Sequence, residues 1–234
     1  MQKIPFSLKS PLDDIRCLYA DFDAPITGLD CGGQCAAHNP NGKPFCCDIC
    51  HAVPAVYRQE WEYLEKSTDL WHAWRGDECE TSPKNEYDQL SDETPQGMLL
   101  LACLGPVKCQ RQYRGLSCRQ FPFFPYITAD FRFIGLACEW EFENTCWVIS
   151  NLGAVTETYR QQFVASHDRL FSFSQDAFDS YQLYSERLRE RCISLRRRIP
   201  LLHRNGGYYQ LSPRSERMAR VSAENLPRFG SYKG

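Results

Sequence analysis

The clearest periodic stretch of apolar positions lies in the C-terminal third. Tyr181, Tyr184, Leu188, Cys192 and Leu195 recur at three- and four-residue spacing and line one face of a helix. This spacing predicts a helix over 175–199, ended by Pro200, and a second helix is predicted over 154–170. Upstream the apolar runs are shorter. Residues 97–103 read Gly-Met-Leu-Leu-Leu-Ala-Cys, which predicts a buried strand rather than a helix. Residues 121–126 and 131–138 bracket Thr128-Ala129-Asp130, predicting two strands joined by a hairpin turn, and 147–149 adds another short strand. Pro54 suits the first turn of a helix, where its missing N–H does no harm. Val56, Trp61, Leu64, Leu70, Trp71 and Trp74 supply apolar faces as far as Gly76, with a break at Ser67-Thr68.

The remaining segments lack such a pattern. Residues 1–30, with Pro5 and Pro11, read as an extended lead-in. The acidic stretch 77–96 reads as a solvated loop, and the chain after Asn205-Gly206-Gly207 as a loose polar tail. The expected fold is α+β. An irregular cysteine-rich core with short β-strands and flanking helices occupies 1–150, and a helical C-terminal extension occupies 151–234.

Charge narrows the function classes. The 27 Lys and Arg nearly balance 29 Asp and Glu, which suggests neither nucleic-acid nor membrane binding. One stretch, 186–220, is basic, with ten arginines against three acids. It has few interleaved aromatics and reads as a solvated face paired by Glu186 and Glu190. The longest apolar run, 98–107, falls far short of the roughly 20 residues of a spanning helix. The first twenty residues hold Lys3, Lys9, Asp13, Asp14 and Arg16 without an apolar core, so a cytoplasmic location is expected. Thiols stay reduced there, and clustered cysteines read as metal or redox sites.

The cysteines then dominate the picture. There are 13 in 234 residues. Cys31-x3-Cys35 and Cys46-Cys47-x2-Cys50 form one block, interleaved with Gly32, Gly33, Pro40, Gly42 and Pro44. Cys103, Cys109 and Cys118, the last in Cys-Arg-Gln-Phe-Pro, form a second. Thiolates are soft donors that favour zinc and iron–sulfur clusters over magnesium or calcium. Gly32-Gly33 lets the backbone fold back so that paired thiols grip one metal. Adjacent side chains diverge in most conformations, so Cys46 and Cys47 reach different metals, or one ligates while the other packs. Cys17, Cys79 and Cys192 read as ordinary buried residues.

The combined pattern resembles the YkgJ-like zinc- or iron-chelating cysteine-cluster family. Cys31, Cys35 and the Cys46-Cys47 doublet match its first block, and Cys103 its isolated cysteine. The run from Cys109 through Tyr113 and Arg114 to Cys118-Arg119-Gln120-Phe121-Pro122 matches its second block. Cys138 matches its downstream cysteine, and Glu60-Trp61 its segment after the doublet. The resemblance covers residues 31–146, and Gly115 stands where proline is usual. It implies metal chelation by Cys31, Cys35, Cys46, Cys47, Cys103, Cys109, Cys118 and Cys138, with Cys50 and Cys146 as reserves. Flagellin lysine N-methylases carry a similar block with an iron–sulfur cluster. The cofactor implied is therefore a 4Fe-4S cluster or iron, with zinc as the alternative. The implied role is redox or accessory chemistry on a protein partner or substrate. A structural-zinc interaction module and a protein-lysine N-methyltransferase-like enzyme are the alternatives.

Other chemistry is thinly represented. No Walker loop, Gly-x-Gly-x-x-Gly fingerprint or nucleophile elbow occurs, and no catalytic set is assigned. The Cys-x3-Cys-x2-Cys triplet of radical S-adenosylmethionine enzymes is also missing. Arg119, Tyr113 and Arg114 suit loop-tying roles, with donation to cluster sulfurs or an anionic ligand as the functional alternative, and His51 suits an ordinary loop position better than a ligand.

Overall fold

Alternate residues of the central strands point into two separate cores, and this organises the molecule. The structure, a computed structural model, describes residues 11–79, 86–95 and 97–233. Its helices are α1 (Pro11–Asp21), α2 (Cys31–Ala36), α3 (Arg58–Ser67), α4 (Glu86–Glu93), α5 (Leu116–Gln120), α6 (Glu157–Phe173) and α7 (Gln175–Ser194). Its strands are β1 (Ala55–Tyr57), β2 (Trp71–Ala73), β3 (Met98–Cys103), β4 (Phe123–Ile127), β5 (Phe133–Cys138), β6 (Ile199–His203), β7 (Tyr208–Leu211) and β8 (Met218–Val221). The fold is α+β, with two antiparallel sheets ordered β1-β3-β2 and β4-β5-β6-β7-β8. None of the described helices is long and apolar enough to cross a membrane.

Both faces of the larger sheet are covered, so its central strands read as unbroken apolar runs. Phe123, Ile127, Leu136 and Leu202 face a core shared with α1 and α6. Phe124, Tyr126, Ala137, Ile199 and Leu201 face a second core with Leu188 and Cys192 of α7. The register shift opposite Tyr126 and Ile127 falls in β5, so Phe133 and Leu136, which strict alternation would set on opposite faces, both face the first core. Gly135, at φ 157°, lets β6 approach β5, because a Cβ there would collide with the Leu202 carbonyl.

The predicted strand at 97–103, the hairpin at 128–130 and both long helices are present. Several other expectations are corrected. Residues 11–21 form a helix because Pro11 stands at its first position, where no N–H is needed; residues 1–10 lie outside the described residues. Residues 55–57 are a strand paired with β3, so the helix expected from Pro54 starts at Arg58. It does break at Thr68, after which Trp71 enters β2. Residues 86–93 of the acidic stretch are helical, whereas 80–85 and 96 fall outside the described residues. Residues 147–149 form turns rather than a strand, with Val148 and Ile149 buried.

Helix α7 stops at Ser194, short of Ile199. The chain reverses through Arg196 at φ 53°, and Leu195 is left exposed. The tail expected to be loose supplies β7 and β8, so residues after 150 complete a sheet that starts with β4. Nor are the arginines of 186–220 all a solvated face. Arg189 is buried and donates to the Ile127 carbonyl (3.0 Å) and Glu216 (3.1 Å), and Arg197 pairs with Glu143.

Candidate metal centre

The thiols of the two cysteine blocks are carried by short helical turns, the end of β3 and the loops between them. Asp30 caps α2 by accepting from the Gly33 N–H (3.1 Å). Cys31 and Cys35, four residues apart, therefore share one face of that helix. The following loop is pinned by Asp48. Its buried carboxylate accepts from Asn39 Nδ2 (2.9 Å), Asn41 Nδ2 (2.8 Å) and the Cys50 N–H (3.3 Å), and lies 3.1 Å from His51 Nδ1. Burial pushes the Asp48 carboxyl up, but these donors prevail and hold it at about 2. His51 is thus a loop residue serving Asp48, edge-on to Phe45. A 3-10 turn, Phe45–Cys47, then presents the doublet with its sulfurs 3.9 Å apart.

The second block is fastened from three sides. Cys103 ends β3 opposite Trp71, whose Nε1 donates to the Tyr113 carbonyl (2.8 Å). Glu60, buried in α3, accepts from the Leu116 N–H (2.7 Å) at the start of α5, which carries Cys118. Arg119 donates to the carbonyls of Arg114 (2.8 Å), Gln112 (3.0 Å), Arg111 (3.1 Å) and Tyr19 (3.1 Å), and stacks on the Tyr19 ring. It ties α1 to the loop before Cys118, which is a structural role. Arg114 Nε donates to Cys109 Sγ (3.1 Å).

The sulfurs fall into two neighbouring sets. Cys118 lies close enough to feel the charges of Cys103, Cys47 and Cys109. Cys103 in turn feels Cys47 and Cys109, and burial followed by these neighbours pushes both Cys103 and Cys118 up. Arg114 faces Cys109, Cys47 and Cys118. In the other set Cys35 neighbours Cys31, Cys46 neighbours Cys146 and Cys35, and Cys146 neighbours Cys35 and Cys31. Burial pushes the Cys146 thiol up to about 12. The doublet is the seam between the sets: the contact between its two sulfurs raises Cys46 and lowers Cys47, and Cys35 also feels Cys47.

Among the described residues, no three or more His, Cys, Asp or Glu side chains already stand at metal-coordination spacing. The donor chemistry nonetheless suits a soft metal. Every member of the two sets is a thiol. Burial pushes the Cys146, Cys103 and Cys35 thiols up, and the backbone at Val148 and Ile149, at Gly105 and at Phe45 partly offsets it. Such donors stabilise thiolate charge and tune a metal–sulfur centre.

Two cysteines stand otherwise than expected, Cys50 and Cys79, and Cys138 lies apart from the tight blocks. Cys138 ends β5 opposite Phe123, packed into the core, with Cys146, Glu143, Glu139 and Arg197 around it. Cys50, held in reserve as a ligand, and Cys79, expected as an ordinary residue, form a disulfide with a Cα separation of 5.3 Å. The expectation of reduced thiols throughout is corrected at this pair, whose Cα spacing is ordinary for a disulfide. Cys192 packs under α7 as its stripe predicted. The residue underweighted from the sequence is Cys146. It belongs to no tight spacing motif, and only the fold brings it to the first cysteine block. No family model matches this chain, and no curated protein and no solved structure matches it either.

Proposed function

We propose that this chain is a cytoplasmic metal-binding protein whose clustered thiolates hold an iron–sulfur cluster, in a redox or accessory role. The observation that carries this reading is the convergence of Cys47, Cys103, Cys109 and Cys118 from separate segments, with Arg114 facing three of them. Four thiolates are the usual complement of a cubane cluster. Its ligands stand wider apart than those of a single ion, because each binds a different iron. Arg114, donating to Cys109, would offset part of the thiolate charge. The resemblance to the YkgJ-like cysteine-cluster proteins supports the same chemistry.

The test is anaerobic purification of the full chain, followed by metal and sulfide analysis and a visible absorption spectrum. The expected product is brown, with iron and acid-labile sulfide in about equal amounts. Colourless protein holding zinc alone would replace this reading with a structural-zinc module, and protein without metal would overturn it.

A further inference from the structure

We propose that Cys50 and Cys79 form a reversible thiol–disulfide site that exchanges with glutathione, and that its closed form clamps the turn bearing the Cys46-Cys47 doublet to strand β2. The pairing stands by itself, whereas its consequence for metal retention rests on the reading of the clustered thiols as a metal centre.

The first observation is what the bond joins. Cys50 stands three residues after the doublet, and its N–H donates to Asp48 Oδ1 (3.3 Å), the carboxylate that pins this loop. Cys79 lies 29 residues further on, beyond β1, α3 and β2, with its Cα 5.3 Å from that of Cys50. Its own segment is fastened back to β2. Glu78 accepts from the Arg75 N–H (3.0 Å) and lies 3.5 Å from Nε2 of His72, a residue of β2. In that strand Trp71 pairs with Cys103 at the end of β3. One covalent bond therefore ties the loop of the first cysteine block to the strand that frames the second.

The second observation is where the bond lies. Neither cysteine stands in a helix or strand, and among the described residues neither packs into the two cores that flank the larger sheet. Opening the bond thus breaks no ladder and empties no core. Cys50 is half-buried and Cys79 only 7 % exposed, so the sulfur of Cys50 is the one open to attack. A disulfide in a reducing compartment is usually a transient or redox-sensing one.

The exchange balances with glutathione alone. A glutathione thiolate attacks the Cys50 sulfur, the S–S bond breaks, and Cys79 leaves as a thiolate that takes up a proton. A second glutathione thiolate attacks the mixed disulfide, releasing glutathione disulfide and the Cys50 thiol. In reverse, glutathione disulfide takes two electrons and two protons from the pair and becomes two glutathiones. Closure constrains a long loop and holds the doublet's turn in place.

The experiment equilibrates the anaerobically purified full chain with glutathione mixtures from strongly reducing to strongly oxidising. After an acid quench and alkylation, mass spectrometry reads the peptides bearing Cys50 and Cys79, which requires no metal. The pair should pass from alkylated to bonded as the mixture is made more oxidising. A pair still bonded in excess glutathione is a permanent staple and would overturn the proposal, as would a pair still open in excess glutathione disulfide. Metal loss to excess EDTA is then timed. The closed form should lose metal several-fold more slowly than the open form, and Cys79→Ser should match the open form in every mixture. Equal rates in the two wild-type forms would overturn the clamp, and this comparison stands even if the variant does not fold. A chain without metal would overturn the metal centre but not the site. The clamp is then read from the denaturant midpoint, which should fall on reduction in the wild type and stay fixed in Cys79→Ser; an unchanged wild-type midpoint would overturn it.

Discussion

His167 is fully buried on α6, with its ring nitrogens 2.8 Å from the Phe163 carbonyl and 3.0 Å from the Gln120 side chain. Phe133, Phe163, Phe171 and Tyr181 surround the ring. Burial disfavours the imidazolium and outweighs the Phe163 carbonyl, holding the pKa down to about 4. The unfolded chain takes up this proton near pH 6.5, before the folded one does. His167 therefore contributes stability that is fully present above about pH 6.5 and is lost as pH falls towards 4, about 3 kcal/mol in all. Urea unfolding at pH 7 and pH 4.5 should show a smaller loss for His167→Gln than for the wild type, and equal losses would refute the assignment. In the sequence His167 stands in no spacing motif, and its role depends on Gln120 and Tyr181, which lie far away along the chain. Arg119 was legible as a loop-tying arginine, but the carbonyls it would bind were not.

At the scale of elements, Glu60 is the joint that matters most for the site. One carboxylate accepts from the Tyr57 N–H (2.9 Å), the Tyr19 hydroxyl (2.8 Å) and the Leu116 N–H (2.7 Å). It thereby joins the start of α3 to α1 and to α5, the carrier of Cys118. Its removal leaves buried donors without a partner, each costing about 1–3 kcal/mol. Glu60→Ala should lower the unfolding free energy by about 3 kcal/mol or more, with Glu60→Gln losing less because one acceptor oxygen remains. Denaturant melts read both values, and a loss below about 1 kcal/mol for the alanine variant would contradict this role.

Elements were legible wherever their own residues carry the pattern, as in β3, the β4–β5 hairpin, α6 and α7. Strands β1 and β2, three residues each, exist only through pairing with β3. At 147–149 the opposite happens: apolar side chains are buried without any strand, because burial does not require a ladder.

Across the whole molecule, the residues after α7 close the larger sheet. β6 pairs Leu201 with Tyr209 and Leu202 with Tyr208, and both leucines are fully buried. A chain ending at His203 would expose the open edge of β6 beside those leucines, and such an edge recruits other chains. Light scattering after size-exclusion chromatography should show this truncated chain as aggregate and the full chain as a discrete species. A monomeric truncated chain would show that β7 and β8 are dispensable.

What the sequence determined by itself was the α+β class, the longer periodic elements and the donor chemistry, since these depend on residue type and local spacing. Only the tertiary structure decided that Cys50 meets Cys79, that Cys146 stands with Cys31, Cys35 and Cys46, and that the tail becomes strands. Spacing along the chain governs neighbours within a turn or a helix. Meetings between distant segments follow from strand register and from which surfaces the cores bury together.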